Sequence, residues 1–307
     1  MKALVYKSTG SWYLLQTEDG QSLQARLVGK LKLLEAKATN PIAVGDWVEV
    51  ENEGQDNSTV ITHIYPRHNY INRTSPHNKN LHHIVAANID QSLLFATLKE
   101  PKTSLGFIDR FLVTAGAYHV PAILVFNKCD LWKKKDTEWY EHIKTMYRQI
   151  GYTIVAISIT QKIGLEELQA LLHNKITLLS GHSGVGKSSF INYLFPHLQL
   201  KTTEVSGWSG KGMHTTTFAE MYNLPDGGKI IDTPGIREMG LVDISRQELS
   251  HYFPEMQKLI QECQFNNCSH LHEPGCAVKD AVNNGSIYEE RYISYLNIRD
   301  TIEEKNY

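Results

Sequence analysis

Two hydrophobic rhythms divide the chain. Over residues 1–68 the apolar positions come in short, often alternating runs: Leu4 to Tyr6, Trp12 to Leu15, Leu23 to Val28, Trp47 to Val50 and Thr59 to Ile64. Thr9-Gly10, Asp19-Gly20, Val44-Gly45-Asp46 and Asn52-Glu53-Gly54 punctuate them. Such runs between turn residues predict five strands. Five short strands predict a small barrel, of which the OB-fold is one kind. Another small antiparallel barrel or a sandwich fits the same pattern.

Residues 69–90 are polar, with Pro76, His77, His82 and His83. They read as a linker whose histidines are solvated. From residue 91 to 240 strands alternate with helices. The predicted strands are Ser92 to Thr97, Ala122 to Phe126, Thr153 to Ser158, Ile176 to Leu179, Phe218 to Leu224 and Lys229 to Ile231. Helical spacing covers Leu105 to Tyr118, Thr137 to Ile150, Leu165 to Leu172 and the stretch from Lys187 onwards. Alternation of this kind predicts a mostly parallel sheet with helices on both faces. Over residues 241–307 strands stop. Arg246 to Phe253, Pro254 to Cys263, Ala277 to Val282 and Ile287 to Ile298 read as helices around a cysteine-rich loop.

Composition narrows the class. The 307 residues carry a formal net charge of -2, so no broad basic surface advertises nucleic acid. The tail from Gly240 holds 6 Lys/Arg against 11 Asp/Glu, and the barrel segment 7 against 8. Any contact with nucleic acid would then rest on local patches, with placed residues such as Lys30, Lys32, Lys37 and Arg67, and on shape. No apolar run approaches the ~20 residues that span a bilayer. The N-terminus reads as a strand rather than a signal peptide. A cytoplasmic protein without membrane contact is expected, acting as a monomer. Three of the four cysteines lie within fourteen residues, which favours metal over disulfides.

The chemistry sits in three motifs. Gly181-His182-Ser183-Gly184-Val185-Gly186-Lys187-Ser188-Ser189 follows an apolar strand and opens a helix, the setting of a phosphate loop. Its backbone N–H groups and helix N-terminus suit phosphate oxygens. Lys187 would reach the β/γ-phosphates, and the Ser188 hydroxyl would ligate Mg²⁺. Asp232-Thr233-Pro234-Gly235 closes a strand 45 residues after Lys187. Asp232 suits the Mg²⁺ shell, and the Gly235 N–H suits the γ-phosphate. Asn127-Lys128-Cys129-Asp130 reads guanine: the Asp130 carboxylate accepts from N1–H and the exocyclic amine, and adenine cannot satisfy it. Lys128 would lie along the base, Asn127 would tie the loops together, and Ser158 would supply the remaining base-contacting loop. The guanine motif precedes the phosphate loop, the reverse of the ordinary GTPase order.

Between these motifs, Ser206-Gly207-Trp208-Ser209-Gly210-Lys211-Gly212-Met213-His214-Thr215-Thr216-Thr217 has the glycines of a switch. One threonine is expected to complete the Mg²⁺ shell. Thr216 is favoured, though the sequence does not choose. Many GTPases orient the attacking water with a glutamine directly after Asp-x-x-Gly. Ile236 stands there instead. Slow intrinsic hydrolysis follows, or use of another group. His214 is the nearest candidate, and an ordinary loop histidine is the equal alternative.

Cys263-x4-Cys268-x-His270-x5-Cys276 supplies three thiolates and an imidazole, a tetrahedral set suited to one structural Zn²⁺. His272 is a rival ligand.

The permuted motif order, Gly-His-Ser-Gly-Val-Gly-Lys-Ser-Ser, His-Thr-Thr-Thr, Asp-Thr-Pro-Gly-Ile-Arg-Glu and the cysteine knuckle together resemble the ribosome small subunit-dependent GTPase A family, also called RsgA or YjeQ. That resemblance covers nearly the whole chain. It implies an N-terminal OB-fold, a circularly permuted GTPase and a C-terminal zinc domain. It further implies a GTPase stimulated by the small ribosomal subunit, which acts late in that subunit's maturation and binds its rRNA. The rival readings are a nucleic-acid-binding module with structural GTP and a small-molecule kinase. The guanine motif and the lack of a substrate-binding insert argue against the kinase.

Overall fold

The computed structural model describes residues 1–9, 12–27, 41–53, 58–74, 82–198, 219–233 and 244–302. Lys30, Lys32, Lys37, Trp208, His214, Thr215, Thr216, Thr217, Gly235 and Ile236 lie outside these residues.

The first five strands are β1 (Lys2–Ser8), β2 (Tyr13–Thr17), β3 (Ser22–Leu27), β4 (Trp47–Glu53) and β5 (Ser58–Ile64). They pair in the order β1-β2-β3-β5-β4, and β4 returns to β1, so the barrel closes. Only the β3–β5 pairing within it is parallel. Ala3, Val5, Tyr13, Leu15, Ala25, Val48, Val50 and Ile61 fill the interior. Strand β1 is buried on both faces: Ala3 and Val5 point into the barrel, whereas Leu4 and Tyr6 join the core of the next unit. Alternate side chains of a strand leave opposite faces, so one strand serves two cores.

Residues 69–90 are more than the expected linker. Strands β6 (Tyr70–Thr74) and β7 (His82–Ala87) form an antiparallel pair. Ile71, Val85, Ala86 and Ile89 are buried in the neighbouring core. The Ala87 N–H donates to the Val44 carbonyl at 2.9 Å, and Asn88 Nδ2 donates to the Gly45 carbonyl at 2.8 Å. Apolar residues are too few here to announce strands; docking against the barrel supplies the partner surface.

The central sheet adds β8 (Gln91–Ala96), β9 (Ala122–Phe126), β10 (Thr153–Ala156), β11 (Ile176–Ser180), β12 (Glu220–Asn223) and β13 (Lys229–Asp232). Their order is β10-β9-β8-β11-β13-β12. The first five run parallel and β12 is antiparallel. Helices α1 (Leu105–Ala117), α2 (Lys134–Ile150), α3 (Leu165–Leu172) and α4 (Lys187–Leu194) cover it. Leu94, Ala96, Leu124 and Phe126 face α1 and α2, while Leu93, Phe95, Ile123 and Val125 face α3 and α4. Burial on both faces explains why these strands read as continuous apolar runs. Helix α2 starts three residues before the expected Thr137, because Asp136 Oδ2 accepts from the Lys133 N–H at 2.8 Å. A single register pair, Lys7 with Glu220, joins the sheet to the barrel through β1 and β12.

The C-terminal part departs most from expectation. Arg246 to Cys263 forms no long helix. It folds as a 3-10 turn at Leu249–Tyr252, the short helix α5 (Pro254–Gln257) and a 3-10 turn at Ile260–Glu262. Pro254 has no N–H to continue a helix and holds Phe253 in an extended conformation. The two expected later helices are present as α6 (Ala277–Asn283) and α7 (Glu289–Thr301). Leu249, Phe253, Met256, Val278, Tyr295 and Ile298 form a separate core there, and Val113 of α1 enters it. Among the described residues no helix is long and apolar enough to cross a membrane.

Candidate nucleotide site and metal centre

Parallel strands place their following loops along one edge of the sheet, the edge where α/β folds bind ligands. β9 leads to Asn127-Lys128-Cys129-Asp130, β10 to Ser158, β11 to the phosphate loop, and β13 ends in Asp232. The four segments thus gather at one edge. Residue 232 pairs in register with Leu179, two residues before the phosphate loop.

Within the phosphate loop, Lys187 opens α4 and folds back over the turn. Its Nζ donates to the Gly181 carbonyl at 2.5 Å and to the His182 carbonyl at 2.8 Å. Burial pushes its pKa down to about 8, while the Asp232 carboxylate pulls the other way. Asp232 is itself buried, which raises its pKa against the opposing pull of Lys187. A partly buried cation and a buried anion therefore face the same loop. Val185 is buried and anchors the loop, whereas Ser183 is exposed. His182 stacks on Phe107, a residue the sequence did not single out. No motif marks Phe107; only its place early in a helix next to the site could have suggested it.

The guanine motif is joined to the phosphate loop directly. Asn127 Nδ2 donates to the Val185 carbonyl at 2.8 Å, and the pair is buried. Gly186 has φ +104°, and a Cβ there would lie 2.1 Å from Asn127 Nδ2. Glycine is thus required both by its backbone and by the approach of Asn127. The second amide atom, Asn127 Oδ1, is buried without a partner among the described residues. Lys128 takes a left-handed backbone with φ 64°, and its Nζ donates to the Glu100 carbonyl. Asp130 is exposed in a 3-10 turn, Cys129–Leu131, available to a base. Ser158 is buried, and its hydroxyl accepts from the Gln161 N–H at 3.0 Å. It shapes the loop from 158 to 163, whose ends exchange two backbone hydrogen bonds. Cys129 is free and half-buried, and burial raises its thiol pKa.

Cys263, Cys268, His270 and Cys276 come together, their ligand atoms all within 4.8 Å of one another. His270 Nδ1 lies 3.7 Å from Cys263 Sγ and 3.4 Å from Cys276 Sγ. Metal–ligand bonds of the usual lengths give tetrahedral edges of roughly 3.3–3.8 Å, which the two His270 distances match, and the four donors together could hold one ion. Burial pushes the Cys268 thiol up to about 12 and raises that of Cys276. Such thiols need a cation to hold them as thiolates. Glu273 braces the turn: it accepts from the N–H groups of Ser269, Leu271 and His272 at 2.8, 2.9 and 3.1 Å. Those bonds, led by the Ser269 hydroxyl, hold its carboxyl far below the ordinary range. His272 is exposed and stands outside the cluster, so the rival ligand set is not assembled.

A family model described as RsgA GTPase matches residues 64–242, and one described as RsgA N-terminal domain matches residues 2–60. The chain is 48% identical to the small ribosomal subunit biogenesis GTPase RsgA of Phocaeicola vulgatus, covering 100% of this chain and 99% of that one. Against the protein of the same name from Cytophaga hutchinsonii it is 52% identical, covering 97% of each. Among solved structures it resembles YjeQ from Thermotoga maritima, with TM-score 0.80 at 33% identity over 99% of both chains. It also resembles YloQ, described as a circularly permuted GTPase, with TM-score 0.76 at 28% identity over 100% of this chain and 96% of that one.

Proposed function

The chain belongs to the RsgA GTPase family and is a GTP-hydrolysing enzyme; we propose that it works as a nucleotide switch in the maturation of the small ribosomal subunit. The observation that carries this is the buried hydrogen bond from Asn127 to the Val185 carbonyl. It ties Asn127 to the phosphate loop, which supports a reading in which joined segments contact base and phosphates.

In this reading Asp130 accepts from the guanine edge and Lys128 covers the base. The backbone N–H groups of residues 181–189 and the Lys187 ammonium hold the phosphates. Ser188, Asp232 and one of the threonines, Thr216 favoured, would hold the Mg²⁺ that accompanies GTP; that ion neutralises phosphate charge. Gly235 meets the γ-phosphate, and His214 stands in for the glutamine that Ile236 replaces. The Cys263, Cys268, His270 and Cys276 donors suit Zn²⁺, held for structure because no position remains for water. A cytoplasmic location agrees with a ribosomal partner.

The test is GTP turnover with and without purified small subunits across a salt series. Stimulation by the subunit that weakens with salt is expected. Turnover indifferent to the subunit would reduce the nucleotide to a structural ligand of a binding module.

A further inference from the structure

Helix α1 and the loop before it touch the nucleotide site from two sides. Lys128 of the guanine motif donates to the Glu100 carbonyl in the loop after β8. In the first turn of α1, the Phe107 ring stacks on the His182 imidazole of the phosphate loop, with centroids 3.6 Å apart and planes 28° from parallel. Asp109 follows two residues later. With about 3.6 residues per turn, two positions rotate through roughly 200°, so Phe107 and Asp109 leave opposite sides of the helix.

The Asp109 side is held by the C-terminal unit. Asp109 and Arg291 of α7 are both fully buried and form an ion pair. Arg291 Nε also donates to Glu255 Oε1 at 2.6 Å, and its guanidinium carbon lies 4.6 Å from the centre of the Phe253 ring. The Tyr147 hydroxyl donates to Asp109 Oδ1 at 2.6 Å. One turn further along, Val113 is part of the C-terminal core. Helix α7 in turn grips the metal centre: the Tyr292 hydroxyl donates to the His270 carbonyl at 2.6 Å, and the Tyr295 hydroxyl to the Ser269 carbonyl at 2.9 Å. Separating α1 from α7 would break the buried Asp109–Arg291 pair, which opposes their independent movement.

We propose that Phe107 is a positioning residue for the phosphate loop, and that α1, fastened through Asp109 and Arg291 to the metal-bearing unit, couples nucleotide binding to that unit. This rests on the phosphate loop being the GTP site. The coupling runs through described residues alone and needs no part of the chain between 199 and 218 or between 234 and 243.

The experiment uses the full chain and a fluorescent GDP analogue. Phe107→Ala weakens binding about two- to tenfold, the worth of one stacked aromatic pair. Phe107→Tyr restores it, and Phe107→Ala adds nothing in a His182→Ala background. Full additivity of the two changes overturns the positioning role. A second measurement needs no variant: amide hydrogen exchange of the wild-type protein with and without GDP. GDP slows exchange in the phosphate loop, in α1 and in the first two turns of α7. Protection of the phosphate loop with α7 unchanged overturns the coupling. Lys187→Ala separates the two levels of the argument. If it binds GDP like wild type, the site assignment falls and the proposal with it. If it loses binding while Phe107→Ala does not, the proposal alone falls.

Discussion

Three residues of the proposed nucleotide site each make a separate demand. Asp130 is exposed and acceptor-only, so it discriminates by hydrogen-bond pattern. Asp130→Asn will weaken guanine nucleotides at least about tenfold and favour xanthine nucleotides, whose carbonyl replaces the amine. A competition assay that still prefers guanine contradicts the assignment. Gly186→Ala places a methyl against Asn127 in a backbone conformation that alanine resists. The expected result is loss of measurable GDP binding with the fold retained by circular dichroism. Lys187 brings a pH dependence. Burial lowers its pKa from 10.5 to about 8, and only the ammonium attracts phosphate. Nucleotide affinity is therefore expected to be highest below about 8 and to fall as pH rises above it. The stability effect has the opposite sense. The folded value lies below the unfolded one, so burying this lysine costs stability at neutral pH, and the cost shrinks as pH rises from about 8 towards 10.5. GDP titrations across this range decide it; a flat affinity profile is the contrary result.

At the scale of elements, the Cys3His cluster sits against a small hydrophobic core that includes Cys263 and Cys276. The segment from 263 to 276 forms no strand or helix and depends on four ligands, the Glu273 brace and the hydroxyls of α7. Purified protein is expected to carry about one Zn²⁺ per chain. Cys268→Ala will lose it and lower the thermal midpoint by at least about 4 °C. His272→Ala will keep both. Elemental analysis beside a melting curve checks the pair, and full metal in Cys268→Ala would point to another ligand set. The ligand spacing announced this site because all four donors lie close in sequence. The short turns of 249–262 were not legible in the same way. Their apolar residues match helical spacing, but Pro254 and the need of Phe253 and Met256 to reach the C-terminal core override it.

Across the whole molecule, the permuted order ties the segment after Asp232 to the C-terminal unit instead of returning it to the sheet. Under the proposed switch, nucleotide state would reach the C-terminal unit through the chain connection after Asp232 and through the α1–α7 contact. We expect small ribosomal subunits to bind about fivefold or more tightly with a non-hydrolysable GTP analogue than with GDP, the lower range of an allosteric coupling. Co-sedimentation measures this, and Trp208 fluorescence should change between the same two states. Equal affinity in both states removes the switch and leaves a structural nucleotide.

Local chemistry was determined by the sequence alone. The phosphate loop, Asn127 to Asp130, Asp232 and the Cys3His spacing are contiguous or nearly so, and the residue types themselves carry the function. The barrel and the parallel sheet were also legible, because burial on one face or two leaves different periodicities. Only the tertiary structure decided what depends on distant partners. Strands β6 and β7 bury Ile71, Val85 and Ala86 in a core shared with the central sheet and bond to the turn before β4. Strand β1 feeds two cores at once. Phe107 and Arg291 matter through His182 and Asp109, 75 and 182 positions away in the chain, and no local pattern encodes a meeting over such separations.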